Sequence, residues 1–273
     1  MRGWRWLAPA IVVLLAVTAW PVGRAIWTSL STDPATSPGD RSFVGVDNYV
    51  DVLTTRTWWI AVAATLAIIT VMVVLQLLLG LAFAAALRRM TVLWPVARVV
   101  VLLPFALLAV VSAVVWRDAV TTGFAAAWFR LDDLGPVGQL VAVSLGEVWR
   151  GTGITAVILL AGLLRVSTSL MASAVADGAT AWQRFRRVVL PAMAPAIAVA
   201  VVYRALDALR MLEGPLLVDQ PGTDVRTVPV LVWDTTFSRF ELGLGAAMSV
   251  LLLVFAVLLA AALVPLLRVR RTV

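Results

Sequence analysis

Three charged residues interrupt an otherwise apolar stretch in the last third of the chain. Arg204, Asp207 and Arg210 recur every three residues, a spacing that places them on one face of a helix. Placing a charged side chain within a membrane-spanning segment costs free energy, so such residues usually line a cavity or pair with one another. The sequence therefore leaves two alternatives open: a polar path that binds a hydroxylated solute, or an internal ion-pair network near the end of the helix.

Further polar side chains lie in other apolar runs. Glu147 and Arg150 are three residues apart and can pair on one helix face. Trp149 offers an aromatic face for sugar C–H groups, although anchoring at a membrane interface is the more common use of such a tryptophan. Gln76 could bind a solute, although bonding to a neighbouring helix is more common. The candidate solute path comprises Gln76, Glu147, Trp149, Arg150, Arg204, Asp207 and Arg210.

The composition excludes most catalytic chemistry. The chain has no Cys and no His, so thiol nucleophiles, zinc sites with these ligands and His-based acid–base catalysis are absent. All 22 basic residues are Arg, so a P-loop, which needs a Lys, is excluded as well. The pair Asp132 and Asp133 lacks a second acidic cluster for metal binding. If ATP powers this protein, another chain must hydrolyse it.

The apolar content predicts an all-α, polytopic membrane protein with a single transmembrane domain, 1–273. Its 62% hydrophobic and 14% charged residues lie far from the values of soluble domains. The first apolar run is predicted to be a retained span because it is long and lacks a clear cleavage site. The fourth span is expected to open locally at Gly151 and Gly153. The six predicted spans are about 7–30, 59–87, 99–116, 140–164, 192–212 and 245–267.

The distribution of arginine predicts the orientation of these spans. Six spans place both termini on one face, together with the connections 88–98 and 165–191. Asp177 is the only acidic residue assigned to this face, and by the positive-inside rule the face is cytoplasmic. Its arginines are Arg2, Arg5, Arg88, Arg89, Arg98, Arg165, Arg184, Arg186, Arg187, Arg268, Arg270 and Arg271.

The polar segment 165–191 is predicted to dock against another protein. Ser167 or Ser169 can cap a first helix. Gly178 ends this helix because glycine adopts a left-handed turn without steric cost. A second helix follows and is predicted to stop at Pro191. The apolar face of the second helix comprises Trp182, Phe185, Val188 and Val189.

This segment resembles the cytoplasmic "EAA" loop of ABC importer permeases, whose pattern is roughly EAAxxDGAxxxxxFxxxxLPxxxP. Ala172 and Ser173 replace the Glu and the first Ala of the pattern, a departure that concerns one polar contact and leaves the turn in place. In the family, the loop forms a coupling helix that sits in a groove of the ATP-hydrolysing subunit. The coupling residues that the resemblance implies are Ala172, Ala174, Asp177, Gly178, Ala179, Gln183, Phe185, Leu190 and Pro191.

Two other segments extend the resemblance to carbohydrate importers that depend on a binding protein. Residues 43–49, Phe-Val-Gly-Val-Asp-Asn-Tyr, resemble the "FVGxxNY" segment of sugar-importer permeases. Residues 204–210 are similar to the Arg-x-Leu-Asp-x-x-Arg run of the same proteins. The chain looks most like the larger permease of maltose importers and the permease of mycobacterial trehalose importers.

The resemblance implies a fold with the coupling helix between spans 4 and 5, in a bacterial plasma-membrane protein. It implies a non-catalytic subunit that translocates a disaccharide such as trehalose or a maltose-like sugar, or a related polyol. It also implies that this chain binds no cofactor and that a partner ATPase uses ATP and Mg²⁺. The implied partners are a second permease subunit, a dimer of ATP-binding subunits, an extracytoplasmic substrate-binding protein, the sugar and membrane lipid, but no nucleic acid.

Two other classes remain open from the sequence. One is an ABC permease for glycerol phosphate or another solute, in which only cavity residues would differ. The other is an ATP-independent secondary carrier or assembly factor. Secondary carriers often consist of two related halves, and no convincing internal repeat is present.

Overall fold

The described part of the chain is almost entirely helical. A computed structural model describes residues 4–32, 41–90, 94–121, 123, 136–217 and 226–267, so the pair Asp132 and Asp133 and the chain ends lie outside it. An antiparallel hairpin pairs β1 (Ser31–Thr32) with β2 (Ser42–Phe43). The helices are α1 (Trp4–Ser29), α2 (Asp47–Thr54), α3 (Arg56–Arg89), α4 (Trp94–Ala106), α5 (Ala109–Thr121), α6 (Pro136–Leu164), α7 (Thr168–Ala176), α8 (Ala181–Arg184), α9 (Leu190–Ala208), α10 (Glu213–Leu217), α11 (Val228–Trp233) and α12 (Leu242–Leu267), with π-helical turns at Phe185–Val189 and Asp234–Ser238.

Five helical stretches of the described residues are long and apolar enough to cross a membrane, and each overlaps a predicted span. The stretch Arg56–Arg89 has 34 residues. At 1.5 Å per residue it is about 51 Å long, so it must tilt or extend beyond a hydrocarbon core of about 30 Å. The five stretches are Ile11–Ser29, Arg56–Arg89, Leu140–Leu164, Ala181–Leu217 and Leu242–Pro265.

The predicted third span, 99–116, is not one straight helix. Val99–Ala106 and Ala109–Val120 are bent by 100° relative to each other. The Leu107 N–H donates to the Pro104 carbonyl at 3.4 Å, the short i to i−3 pattern that often ends a helix. The two pieces form a sixth span only if the bent pair crosses as one, so the count of six spans stays a prediction.

The chain divides into two compact units, Met1–Ala63 with Arg226–Val257 and Ala64–Val225 with Leu258–Val273. The prediction of a single domain therefore stays a prediction. The apolar core of the first unit comprises Val52, Trp58, Ala61, Val228, Leu231 and Met248.

Residues of the FVGxxNY segment hold the turn that follows α1 in the first unit. Gly45 has φ +60°, a left-handed conformation that glycine adopts at little cost. The Asn48 amide donates to the carbonyls of Ser29 at 2.8 Å and Ser31 at 3.1 Å. The Tyr49 and Ser29 hydroxyls share a hydrogen bond. The segment therefore folds the chain back onto the end of α1.

Close helix packing holds the second unit together. A side chain on Gly162 of α6 would overlap Ala196 of α9, and a side chain on Gly80 of α3 would overlap Thr155 of α6. Small residues at such positions let helices approach closely. The apolar core around these contacts comprises Ala84, Leu87, Leu159, Leu160, Leu163, Val166, Val189, Met193 and Ala200.

Candidate functional site: a helical docking segment and a buried polar cluster

The first helix of the segment 165–191 begins after one of the two serines that were predicted as caps. Ser167 is the N-cap of α7, and its hydroxyl accepts a hydrogen bond from the Leu170 N–H at 3.4 Å. The Ser169 hydroxyl lies 2.7 Å from that of Ser167. The serine just before the helix is therefore the cap, and Ser169 supports it.

The break after α7 lies at the predicted glycine. Gly178 has φ +74°, and its N–H donates to the Val175 carbonyl at 3.0 Å. The Ala179 N–H then donates to the Ala174 carbonyl at 3.0 Å. These bonds satisfy the last carbonyls of the helix, as left-handed C-terminal glycine motifs do. A Cβ at Gly178 would have open space around it, so only the backbone conformation favours glycine there.

A capping box begins the second helix. The Thr180 hydroxyl accepts from the Gln183 N–H at 3.3 Å, and the Gln183 side chain accepts from the Thr180 N–H at 2.8 Å. Thr180 was missed by the sequence analysis, although the Thr-x-x-Gln spacing is a known signature of this motif. The Arg184 guanidinium donates to the Ala179 carbonyl at 2.7 Å and ties α8 to the break.

The predicted stop at Pro191 is wrong. The chain continues from α8 through the π-helical turn into α9, and Pro191 lies in the first turn of α9. The Leu190 N–H donates to the Phe185 carbonyl five residues back. Because proline has no N–H, it needs no acceptor in the widened turn, and the helix passes through it.

The docking segment presents apolar side chains that the described part of the chain leaves uncovered. No residue of α7 is buried. Trp182 is 66% exposed, while Phe185 and Val188 are half-buried and Val189 is buried, so the predicted apolar face is only partly covered. Of the other predicted coupling residues, Ala174 and Ala179 are half-buried; the exposed ones are Ala172, Asp177, Gly178, Gln183, Leu190 and Pro191.

Arg204 is the centre of a buried polar cluster in the second unit. Arg204 belongs to α9, and its side chain is completely buried. Its guanidinium donates to the Gln76 side-chain oxygen of α3 at 2.7 Å and to the Asp207 carboxylate at 2.6 Å. The Gln76 amide nitrogen donates to the Glu147 carbonyl of α6 at 2.8 Å. Arg204 and Gln76 together thus link three helices. The Arg204 Nη2 has no partner among the described residues.

Gly151 provides the space for this guanidinium. A Cβ on Gly151 would overlap both the Arg204 guanidinium and the Gln76 amide, and one on Gly153 would overlap the Val101 carbonyl. The expectation that these glycines open the helix is wrong, because α6 is continuous from Pro136 to Leu164. The glycines instead allow close approach of neighbouring groups.

The remaining candidates lie at the edge of the cluster. Arg150 forms a bidentate pair with Glu147, at 3.0 and 2.8 Å, and lies 5.9 Å from the ring centroid of Phe105. Arg210 is 80% exposed and lies 3.7 Å from Asp207. Trp149 is 41% exposed. The structure therefore joins five of the seven candidates by hydrogen bonds, and Trp149 and Arg210 stay outside this buried group.

The described residues contain no group of acidic, His or Cys side chains that could hold a metal ion. The cluster holds mixed charges and can donate or accept hydrogen bonds. Such groups can bind and position a polar ligand.

Comparison with known proteins identifies the family. No family model matches the chain. The chain is 38% identical over 251 residues to the trehalose transport system permease protein SugA of Mycobacterium tuberculosis. The aligned region covers 90% of this chain and 82% of the relative. The chain belongs to the sugar ABC transporter permeases. This permease is also 30% identical over 260 residues to the trehalose/maltose transport system permease protein MalF of Thermococcus litoralis, with 91% and 88% covered.

Further comparisons agree with this identification. The permease is 30% identical over 271 residues to the sulfoquinovosyl glycerol transport system permease protein SmoG of Agrobacterium fabrum, with 90% and 83% covered. A bacterial ABC transporter involved in the import of the polysaccharide alginate matches the permease with a TM-score of 0.78 at 20% identity, over 99% of this chain and 96% of that one. A structure of the alginate transporter in complex with a periplasmic protein bound to alginate pentasaccharide matches with a TM-score of 0.75 at 19% identity, over 97% and 93%.

The predicted family and the all-α permease fold are thus confirmed. The permease is a multi-pass protein of the bacterial inner membrane. Its role is that of a non-catalytic transport subunit.

Proposed function

We propose that the permease translocates a disaccharide such as trehalose or a maltose-like sugar, or a related polyol, in an ATP-driven importer supplied by an extracytoplasmic binding protein. The 38% identity to a trehalose permease over 90% of the chain carries this proposal. The buried cluster supports an uncharged solute, because Glu147 and Asp207 already compensate the charges of Arg150 and Arg204.

A second candidate is an anionic solute such as glycerol phosphate. The relative that transports sulfoquinovosyl glycerol favours this alternative, as does Arg210, which shares Asp207 with Arg204 and is 80% exposed. Membership in the ABC permeases argues against the ATP-independent carrier.

The solute path uses the partly exposed edge of the cluster. Asp207 is 23% and Arg150 is 15% exposed, so both have a side facing away from their partners. Trp149 is 41% exposed and can supply an aromatic face, and Arg210 can supply a further donor. Arg204 and Gln76 are fully buried and position this edge by linking α3, α6 and α9.

Transport is driven through the docking segment. A pair of ATPase subunits, which bind ATP and Mg²⁺, contacts α7, the Gly178 turn and α8. The exposed apolar residues of this surface, together with the rigid caps at Ser167 and Thr180, support a protein partner here. The unbroken helix from α8 into α9 then transmits the movement of the ATPase subunits to the region of Arg204. The permease thereby exchanges between outward-open and inward-open states.

The surroundings of this subunit follow from the same proposal. A second permease subunit completes the translocation path, and the binding protein delivers the solute on the outer side. Both termini are cytoplasmic, since the arginine-rich connections then lie inside.

Uptake and co-purification together test the proposal. Cells that express the tagged permease together with its proposed partner proteins are given labelled trehalose, maltose or glycerol 3-phosphate. The permease is then purified from these cells in mild detergent. Uptake of a disaccharide, with an ATPase and a second permease co-purifying, is the expected result. Uptake of glycerol 3-phosphate alone would favour the second candidate, and transport without any co-purifying ATPase would contradict coupling.

A further inference from the structure

A basic cavity lies beside the docking segment, outside the polar cluster of Arg204. It has a volume of about 460 Å³ between the end of α3, the end of α6 and the chain from α7 through the π-helical turn. Arg88, Arg89 and Arg184 line it, and all other lining residues are apolar, among them Leu81 and Phe185. The cavity therefore combines cations with an apolar wall and contains no acidic side chain.

The position of the arginines at the end of the long apolar run of α3 suits the headgroup level of a membrane. No charged residue lies between Arg56 and Arg88, and Arg88 and Arg89 are the last two residues of α3. Arginines that follow a long apolar span reach for the headgroup level of the bilayer. Their side chains are exposed, so they are free to take up a ligand without breaking the fold.

The apolar wall extends from this level towards the hydrocarbon. Leu81 precedes Arg88 by seven residues, which is about 10 Å along a helix. Phe185 and Leu163 also line this cavity, from the other two sides. A free inorganic anion would contact only the arginines, whereas an amphiphile would contact both parts.

We propose that this cavity binds the phosphate headgroup of an anionic phospholipid such as phosphatidylglycerol, with Arg88 and Arg89 on the phosphate and the glycerol and upper acyl chain against Leu81 and Phe185. Guanidinium groups bind phosphate oxygens through paired N–H donors. Basic pockets at the ends of transmembrane helices are suited to anionic headgroups. Arg184 closes the site from the docking segment, where its guanidinium also donates to the Ala179 carbonyl. The lipid thereby contacts both α3 and the segment assigned to coupling.

Binding by the purified permease complex tests this site. The complex is delipidated in detergent and titrated with phosphatidylglycerol or with phosphatidylcholine, and bound lipid is counted by native mass spectrometry. The variant Arg88→Ala/Arg89→Ala is expected to bind phosphatidylglycerol about 30-fold more weakly. The matched control is Arg186→Ala/Arg187→Ala, which removes two exposed arginines that do not line the cavity and leaves affinity unchanged.

A competition arm distinguishes the lipid from a free anion. Inorganic phosphate is added to the complex loaded with phosphatidylglycerol. Retention of the lipid is expected, because phosphate lacks the apolar contacts. Displacement by phosphate, equal binding of phosphatidylcholine, or equal loss of affinity in both double variants would overturn the proposal. Because the readout is lipid binding, its outcome is separate from solute identity and from ATPase coupling.

Discussion

The Arg204 guanidinium donates to Asp207 at 2.6 Å across a boundary between two environments, because Arg204 is completely buried and Asp207 is 23% exposed. The two ends of this pair therefore have different consequences. Arg204 also binds Gln76, so its loss affects contacts between helices. Asp207 keeps one side available to a ligand. The alternatives that the sequence left open, a solute path and an ion-pair network, are thus compatible within one cluster.

Replacing Arg204 by methionine should destabilise the protein. Arg204→Met leaves the buried Gln76 oxygen without its donor, a loss that typically costs about 1–3 kcal/mol. We expect lower abundance and a lower denaturation temperature in detergent, measured by thermal unfolding. Arg210→Met is the matched control, since Arg210 is 80% exposed. Equal stability of the two variants would contradict the role of Arg204 as a link between helices.

Replacing Asp207 by asparagine should reduce transport more than abundance. Asp207→Asn keeps an oxygen that can accept from Arg204 but removes the negative charge at the partly exposed edge. We expect solute uptake to fall about tenfold or more, equivalent to one lost hydrogen bond to a charged group, of about 1.5–3 kcal/mol. Uptake and membrane abundance are measured in the same cells. A parallel fall of both would assign Asp207 to the internal network alone.

A methyl group at Gly151 should disrupt the cluster. Gly151→Ala places a Cβ on the Arg204 guanidinium and the Gln76 amide, and overpacking of this kind costs about 1–3 kcal/mol. The same substitution at Gly23 of α1 is the control, because nothing lies within 4 Å of its Cβ position. Thermal unfolding should separate the two variants, and a Gly151→Ala protein as stable as Gly23→Ala would contradict the close packing.

Features that depend on neighbouring residues could be predicted from the sequence, whereas contacts between distant segments could not. Gly178 and the serine cap were predictable because turn and cap preferences depend on a few neighbouring residues. The Arg204–Asp207 pair followed from spacing on one helix. The bond between Arg204 and Gln76 joins residues 128 positions apart, and no periodicity reports such a distance.

Two wrong predictions have different physical origins. Pro191 was expected to end a helix and Gly151 to open one, which is how these residues act on an isolated chain. In the structure, a π-helical turn accommodates the proline, and the glycine makes room for a guanidinium from another helix. Tertiary packing therefore outweighed local propensity at Gly151, whereas at Pro191 a local change of helix type removed the need for the missing N–H.

A large charged residue at Gly178 should uncouple transport without preventing insertion. The space around Gly178 is open, so the side chain of Gly178→Arg would fit within this chain, although φ +74° costs a non-glycine residue about 1–2 kcal/mol. The added charge would occupy the turn assigned to ATPase contact. We expect normal abundance and abolished uptake, with the purified complex losing the ATPase. Gly178→Asn is the control, since asparagine tolerates this conformation and should keep transport. Normal uptake by Gly178→Arg would contradict the assignment of this turn to coupling.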